Sequence, residues 1–173
     1  MILKKICMVG VFATGKTSLV RRFVHSLFSE NYLATVGVKV DRKMVDVGGR
    51  PFTLLLWDLE GRDGPGGITT SYLRGASGIF YVVDGTRRET YDQLFELERQ
   101  VTGSIGEVPS IVALNKSDLA QDWRLGASDN EALHARGWHV FQTSARSGDG
   151  VEEAFRWLAA RTAESPIRRE DGP

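Results

Sequence analysis

One cysteine, Cys7, is all that the 173-residue chain contains. An internal disulfide is therefore excluded. Cys7 lies in the apolar run MILKKICMVG, where a small buried side chain in a reducing cytosol is expected. No apolar run reaches the ~20 residues of a membrane-spanning helix, and the first residues lack the apolar core and cleavage site of a signal peptide. Met1 precedes Ile2 rather than Gly, and the last residues, SPIRREDGP, hold no cysteine. No myristoyl or prenyl membrane anchor is thus expected in this chain, and a cytoplasmic location is. There is no charge excess either: 22 Lys and Arg balance 22 Asp and Glu. That balance argues against a broad surface for nucleic acid or anionic lipid, and Arg168 and Arg169 are offset by Glu170 and Asp171. His25, His134 and His139 show no metal-ligand spacing and are expected on the surface. Trp57, Trp123, Trp138 and Trp157 share no stripe, so structural roles are expected of them.

What is present is an alternation of apolar β-branched runs with segments of helical period. Strands are expected at 6–10, 38–47, 52–58, 79–83, 110–115 and 140–143, and helices at 16–27, 90–101, 131–135 and from Gly150 onward. Gly48-Gly49 separates two of the strands and signals a hairpin. The run FTLLLWD is nearly all apolar, as a strand covered on both faces should be. The fold class is therefore α/β, a six-stranded, mostly parallel sheet with one antiparallel edge strand and helices on both faces. One domain over residues 1–164 suits the length, and residues 165–173 read as a disordered tail.

Three elements carry chemistry. GVFATGKT, Gly10 to Thr17, fits G-x-x-x-x-G-K-[ST] and stands between a strand and a helix, the context the motif requires. Backbone N–H groups of Ala13, Thr14 and Gly15 can curl round phosphates, and the helix N-terminus adds its positive end. Lys16 places a point charge on the outer phosphates, and the Thr17 hydroxyl can ligate Mg²⁺. Asn115-Lys116-Ser117-Asp118 closes a buried strand, where α/β folds place ligand contacts. The Asp118 carboxylate can accept both N1–H and N2–H₂ of guanine, an edge adenine does not offer. Ser144-Ala145-Arg146 ends the next strand and can present a backbone N–H to guanine O6.

With these three elements in order, the chain resembles the Ras superfamily of small GTPases over residues 3–162, and the Rab branch most of all. ITTSYLRGASGIFYVVDGT, Ile68 to Thr86, reads like the Rab segment after the second switch, and YLATVGVKV, Tyr32 to Val40, like a Rab first switch. The resemblance implies a single P-loop G domain binding GTP or GDP with Mg²⁺. It implies that Thr35 reaches Mg²⁺ and the third phosphate, that Phe28 packs edge-on against guanine, and that Ser18 touches the α-phosphate. Asp58 would hold a Mg²⁺ water, and the Gly61 N–H would contact the γ-phosphate. Glu30 could reach the ribose, or simply be solvated; Lys116 could pack its stem on the base and loop. Effector, exchange-factor and activating-protein partners are implied, with the chain itself a monomer.

The second switch departs from the family. Asp-x-Ala-Gly-Gln becomes Asp58-Leu59-Glu60-Gly61-Arg62. The family's Gln accepts a hydrogen bond from the attacking water; Arg62 has only donors and cannot. A cis-acting arginine role for Arg62 stands against an exposed or partner-facing one. Phe12 takes a position the family often keeps small, where a partner's arginine enters. Glu60 would repel phosphate and weaken nucleotide or Mg²⁺ affinity, unless it swings outward to Arg62 or Arg74. Gly64, Pro65, Gly66 and Gly67 disfavour helix and make the second switch mobile. The reading is a slowly hydrolysing GTPase switch; the alternative is a pseudo-GTPase that recruits partners without hydrolysis. A small-molecule phosphotransferase is disfavoured by the complete guanine motifs and the lack of a lid insertion.

Overall fold

The computed structural model describes residues 2–31, 33–61 and 67–164. The chain runs β1 (Ile2–Val9), α1 (Lys16–His25), β2 (Val38–Val47), β3 (Arg50–Leu59), β4 (Gly78–Asp84), α2 (Arg88–Ile105), β5 (Ser110–Asn115), α3 (Ala127–Ala135), β6 (His139–Gln142) and α4 (Val151–Glu164). The six strands form one sheet in the order β2-β3-β1-β4-β5-β6. Only the β2–β3 pairing is antiparallel. Its turn is Gly48-Gly49, with φ of 60° and 78°. Positive φ at both central residues is what a tight hairpin following the strand twist requires, and Gly supplies it without steric cost.

Side chains alternate along each strand, so the central strands feed two cores. Ile6 and Met8, Phe80 and Val82, Ile111 and Ala113 point to the side of α1 and α4. Cys7 and Val9, Tyr81 and Val83, Val112 and Leu114 point to the side of α2 and α3. This explains why these strands read as unbroken apolar runs. Phe155 joins the first core by stacking on Phe23 at 4.2 Å and lying 4.4 Å from Phe80. Cys7 is fully buried, and burial pushes its thiol up to about 12, so it stays protonated.

The element boundaries differ from expectation where local hydrogen bonds decide them. Helix α1 stops at His25, short of Leu27, because Ser26 turns left-handed (φ 56°) and donates its N–H to Arg22 O. Helix α3 starts four residues earlier than expected. The Asp129 carboxylate accepts the Gly126 N–H at 2.8 Å and caps it. The tryptophans pack structurally: Trp57 under Lys5, Trp123 over Gly85, Trp138 beside Tyr81, and Trp157 on His139. His25, His134 and His139 are exposed. Among the described residues no helix is long and apolar enough to cross a membrane. The expected tail, 165–173, lies outside the described residues, as does most of the Gly-rich second switch.

Because five strands run parallel, the loops after β1, β3, β4, β5 and β6 all emerge at one edge of the sheet. The phosphate-loop and guanine-motif residues sit in these loops, at the strand ends that lead into them or at the start of α1, while Phe28 and Thr35 come from the connection between α1 and β2.

Candidate functional site

The loop after β1 is shaped for an anion. Ala13 (φ 59°) and Gly15 (φ 100°) are left-handed and curl the chain into a cup. The N–H groups of Ala13, Thr14 and Gly15 donate no hydrogen bond among the described residues. Helix α1 begins at once, with no side-chain cap and no acidic residue in its first turn, so its positive end opens into the same cup. Lys16 is almost wholly buried, and its Nζ lies across the cup on the Gly10 and Val11 carbonyls, 2.9 Å from each. Gly61 rests against this arrangement. A β-carbon there would stand 2.7 Å from both Lys16 Nζ and Phe12 N, so only glycine lets the second switch approach this closely.

Beside the cup three oxygen-bearing side chains meet. Thr17 Oγ1 and Thr35 Oγ1 are 2.8 Å apart. Thr35 donates to Asp58 Oδ2 at 3.1 Å, and Thr17 donates to the same oxygen. Asp58 is 1% exposed, and its second oxygen, Oδ1, has no partner. Burial pushes the Asp58 carboxyl above the ordinary range, although the Thr17 hydrogen bond and the Lys16 charge pull it back. Two hydroxyls around a buried, half-satisfied carboxylate suit a hard cation that prefers oxygen. Thr17, Thr35 and Asp58 are thus the residues that could hold Mg²⁺. Among the described residues no cluster of His, Cys, Asp and Glu offers a second metal site.

The other end is tied to the cup by side chains. Asn115 donates to Thr14 O at 3.0 Å and accepts from the Thr143 hydroxyl at 3.1 Å. Lys116, held left-handed (φ 68°), donates to Ala13 O at 3.0 Å and pairs with Asp84 at 2.7 Å. Ser144 donates to Asp118 Oδ1 at 2.7 Å, fixing that exposed carboxylate. The carbonyls of Ala145 and Arg146 both accept from the Arg22 guanidinium, which leaves the Ala145 N–H unused. Asn115 and Lys116 therefore spend their polar atoms on the phosphate loop, Thr143 and Asp84, while Asp118 stays exposed and the Ala145 N–H donates no hydrogen bond among the described residues.

The other expected residues are placed as follows. Phe28 is 38% exposed and shares a shallow hollow with Ser18, Thr17 and Leu33. Glu30 pairs with Arg146 at 3.3 Å rather than standing free. The Glu60 carboxylate accepts the Gly37 N–H at 3.4 Å, and the Glu60 N–H donates to Gly37 O at 2.8 Å. It thereby joins the two switches; among the described residues it makes no pair with Arg74, and the alternative partner Arg62 lies outside them. Phe12 is exposed, and its carbonyl accepts from Arg87 at 2.9 Å. Arg62 lies outside the described residues.

Three contributors escaped the sequence reading: Asp84, Thr143 and Arg22. Asp84 could have been found, because a carboxylate ending the apolar run GIFYVVD needs a cation at the sheet edge. Thr143 and Arg22 act through contacts 28 and 123 residues away in sequence, respectively, and carry no local mark.

Sequence comparison places this geometry. A profile of the Ras family matches residues 5–164. The chain belongs to the Ras family, whose members bind guanine nucleotide and hydrolyse GTP. It is 31% identical to Ras-related protein Rab-32A of Dictyostelium discoideum over 179 residues, covering 96% of this chain and 81% of that protein. It is 32% identical to Ras-related protein Rab-32 of Mus musculus, over 89% of this chain and 73% of that protein, and 31% identical to Ras-related protein Rab-32 of Homo sapiens over 91% and 73%. Within the superfamily it is a Rab-like small GTPase and a GTP-binding switch.

Proposed function

We propose that the chain is a Mg²⁺-dependent switch that cycles between GDP and GTP and hydrolyses GTP slowly when alone. The observation that carries this reading is the meeting of Thr17, Thr35 and Asp58 beside a cup whose amides are unspent. The cup receives the β- and γ-phosphates, with Lys16 neutralising their charge. Thr17 and Thr35 would ligate Mg²⁺ and Asp58 would hold a water of its shell; the ion would neutralise charge on the phosphates. Asp118 accepts the guanine donors, the Ala145 N–H reaches O6, Phe28 packs on the base edge, and Ser18 touches the α-phosphate. Gly61 offers its N–H to the γ-phosphate, so loss of that phosphate releases the Glu60–Gly37 contact and both switches with it.

The chemical step is in-line attack of water on the γ-phosphorus, releasing GDP and phosphate. Arg62 cannot accept a hydrogen bond from that water. Unaided turnover is therefore expected at or below roughly 10⁻⁴ s⁻¹. The protein would act in the cytosol as a monomer with an effector, an exchange factor and an activating protein. Arg62 and the exposed Phe12 favour one other reading, a pseudo-GTPase that holds nucleotide and recruits partners. Single-turnover hydrolysis of GTP, with and without cell lysate as a source of activators, tests both. Slow turnover that lysate accelerates supports the switch. No turnover in either case supports the pseudo-GTPase, and fast unaided turnover contradicts both.

A further inference from the structure

Helix α1 carries Lys16 and Thr17 in its first turn and Arg22 in its last. The Arg22 guanidinium crosses to the turn that follows β6. Its Nε donates to Ala145 O at 2.7 Å, and its Nη2 donates to Arg146 O. One planar fork thus holds the carbonyls of two consecutive residues, which fixes direction as well as distance. The stem is in contact too. Gly148 (φ 90°) lies against it, and a β-carbon there would stand 3.7 Å from Arg22 Cδ.

The Ala145 N–H sits between two pinned peptide groups. The peptide that carries it has its oxygen, Ser144 O, accepting the Gly148 N–H at 2.8 Å. The next peptide has its oxygen, Ala145 O, on Arg22. The N–H itself donates no hydrogen bond among the described residues. A donor left over between two fixed planes is pre-aimed at whatever acceptor binds there. The Glu30–Arg146 pair, at 3.3 Å, also ties this turn to the segment after α1, but both its side chains are exposed, so it holds little. Arg22 is half-buried, and its bonds are charge-assisted, the stronger kind. Ser144 is fixed separately, by its hydroxyl on Asp118 at 2.7 Å and its N–H on Asp149 O at 3.0 Å. Asp118 therefore keeps its support without Arg22.

We propose that Arg22 is a specificity-determining positioning residue. The proposal rests on the reading above, in which Asp118 accepts the guanine donors and the Ala145 N–H meets O6. Arg22 sets that N–H at a fixed place relative to the helix that carries the phosphate-binding groups. A purine anchored by its phosphates is then read at its sixth position for an oxygen acceptor. Asp118 reads the neighbouring donors independently.

Competition against fluorescent GDP, with GDP, 6-thio-GDP and inosine diphosphate as competitors, separates the two roles. The thio compound changes only the acceptor that Ala145 would meet; the inosine compound lacks only the 2-amino group that Asp118 would meet. The wild type should prefer GDP to 6-thio-GDP by about tenfold, because sulfur is the weaker acceptor. It should prefer GDP to inosine diphosphate by at least about tenfold, because Asp118 loses a donor. Arg22→Met keeps a stem against Gly148 and removes the donors. It should shrink the first preference to about twofold and leave the second unchanged. Arg22→Lys, with a single point charge, should fall between the two. Loss of both preferences in Arg22→Met, or of neither, would overturn the proposal. Should Arg22→Met fail to fold, Arg22→Lys decides, and an undiminished preference for GDP over 6-thio-GDP overturns it. A wild type that separates GDP from inosine diphosphate but not from 6-thio-GDP would overturn the proposal and leave Asp118 standing. A wild type that separates GDP from neither would bring down the base reading itself.

Discussion

The two ends of the candidate site satisfy their polar groups in opposite ways. At the base end, Asn115 is bonded on both sides of its amide, Lys116 bridges Asp84 and Ala13, and Ser144 pins Asp118. At the phosphate end, Asp58 Oδ1 is buried without a partner and the loop amides are unspent. The first switch beside it leaves Leu33 76% and Val36 86% exposed. Burial of unpaired polar groups and exposure of large apolar ones both cost free energy. The base end is finished largely by the protein, with the Ala145 N–H left over among the described residues. The phosphate end is finished by what binds there, which is how a ligand can exert leverage on the chain around it.

The largest effect that tests this contrast should come from Lys16. In Lys16→Ala the cup loses the charge that answers the phosphates. GDP and GTP affinity should fall at least about a hundredfold by fluorescent-nucleotide titration, since charge-assisted contacts to phosphate are the strong ones. Near-normal affinity would mean that the cup is not the phosphate site.

A stability effect should mark the other end. Asp84 is wholly buried, pairs with Lys116 and accepts from both the N–H and the hydroxyl of Thr86. Asp84→Ala should cost about 3 kcal/mol, lowering Tm by roughly 6–12 °C in the nucleotide-free chain. If the base end were instead completed by nucleotide, the loss would appear only in the loaded protein.

Glu60 separates the ends most finely. Its carboxylate accepts the Gly37 N–H, a partner other than phosphate. Repulsion of phosphate is therefore mostly relieved, and Glu60→Ala should slow GDP release by no more than about threefold. Faster release would show that the Gly37 contact holds the nucleotide in.

How much of this was legible beforehand follows the same division. The strands announced themselves because both sheet faces are covered, and the phosphate loop because its geometry demands fixed residue types at fixed spacing. NKSD was legible as a motif, but its division of labour was not. Asn115 and Lys116 turn inward only because Thr143 and Asp84, on neighbouring strands, receive them. The start of α3 was hidden because its signal is one carboxylate, Asp129, capping a glycine in a polar stretch. The Glu60–Gly37 contact was hidden because nothing local points to Gly37, which reaches Glu60 through the β2–β3 pairing; the expected alternative partner Arg62 lies outside the described residues.

The proposed recognition of guanine by Asp118 is the central claim, because it would make this site a switch for one nucleotide and not a general phosphate cup. Competition of GDP against ADP for the wild-type chain and for Asp118→Ala measures it directly. The wild type should prefer GDP by at least about a hundredfold, and Asp118→Ala should lose most of that preference. An undiminished preference in the variant would contradict the assignment.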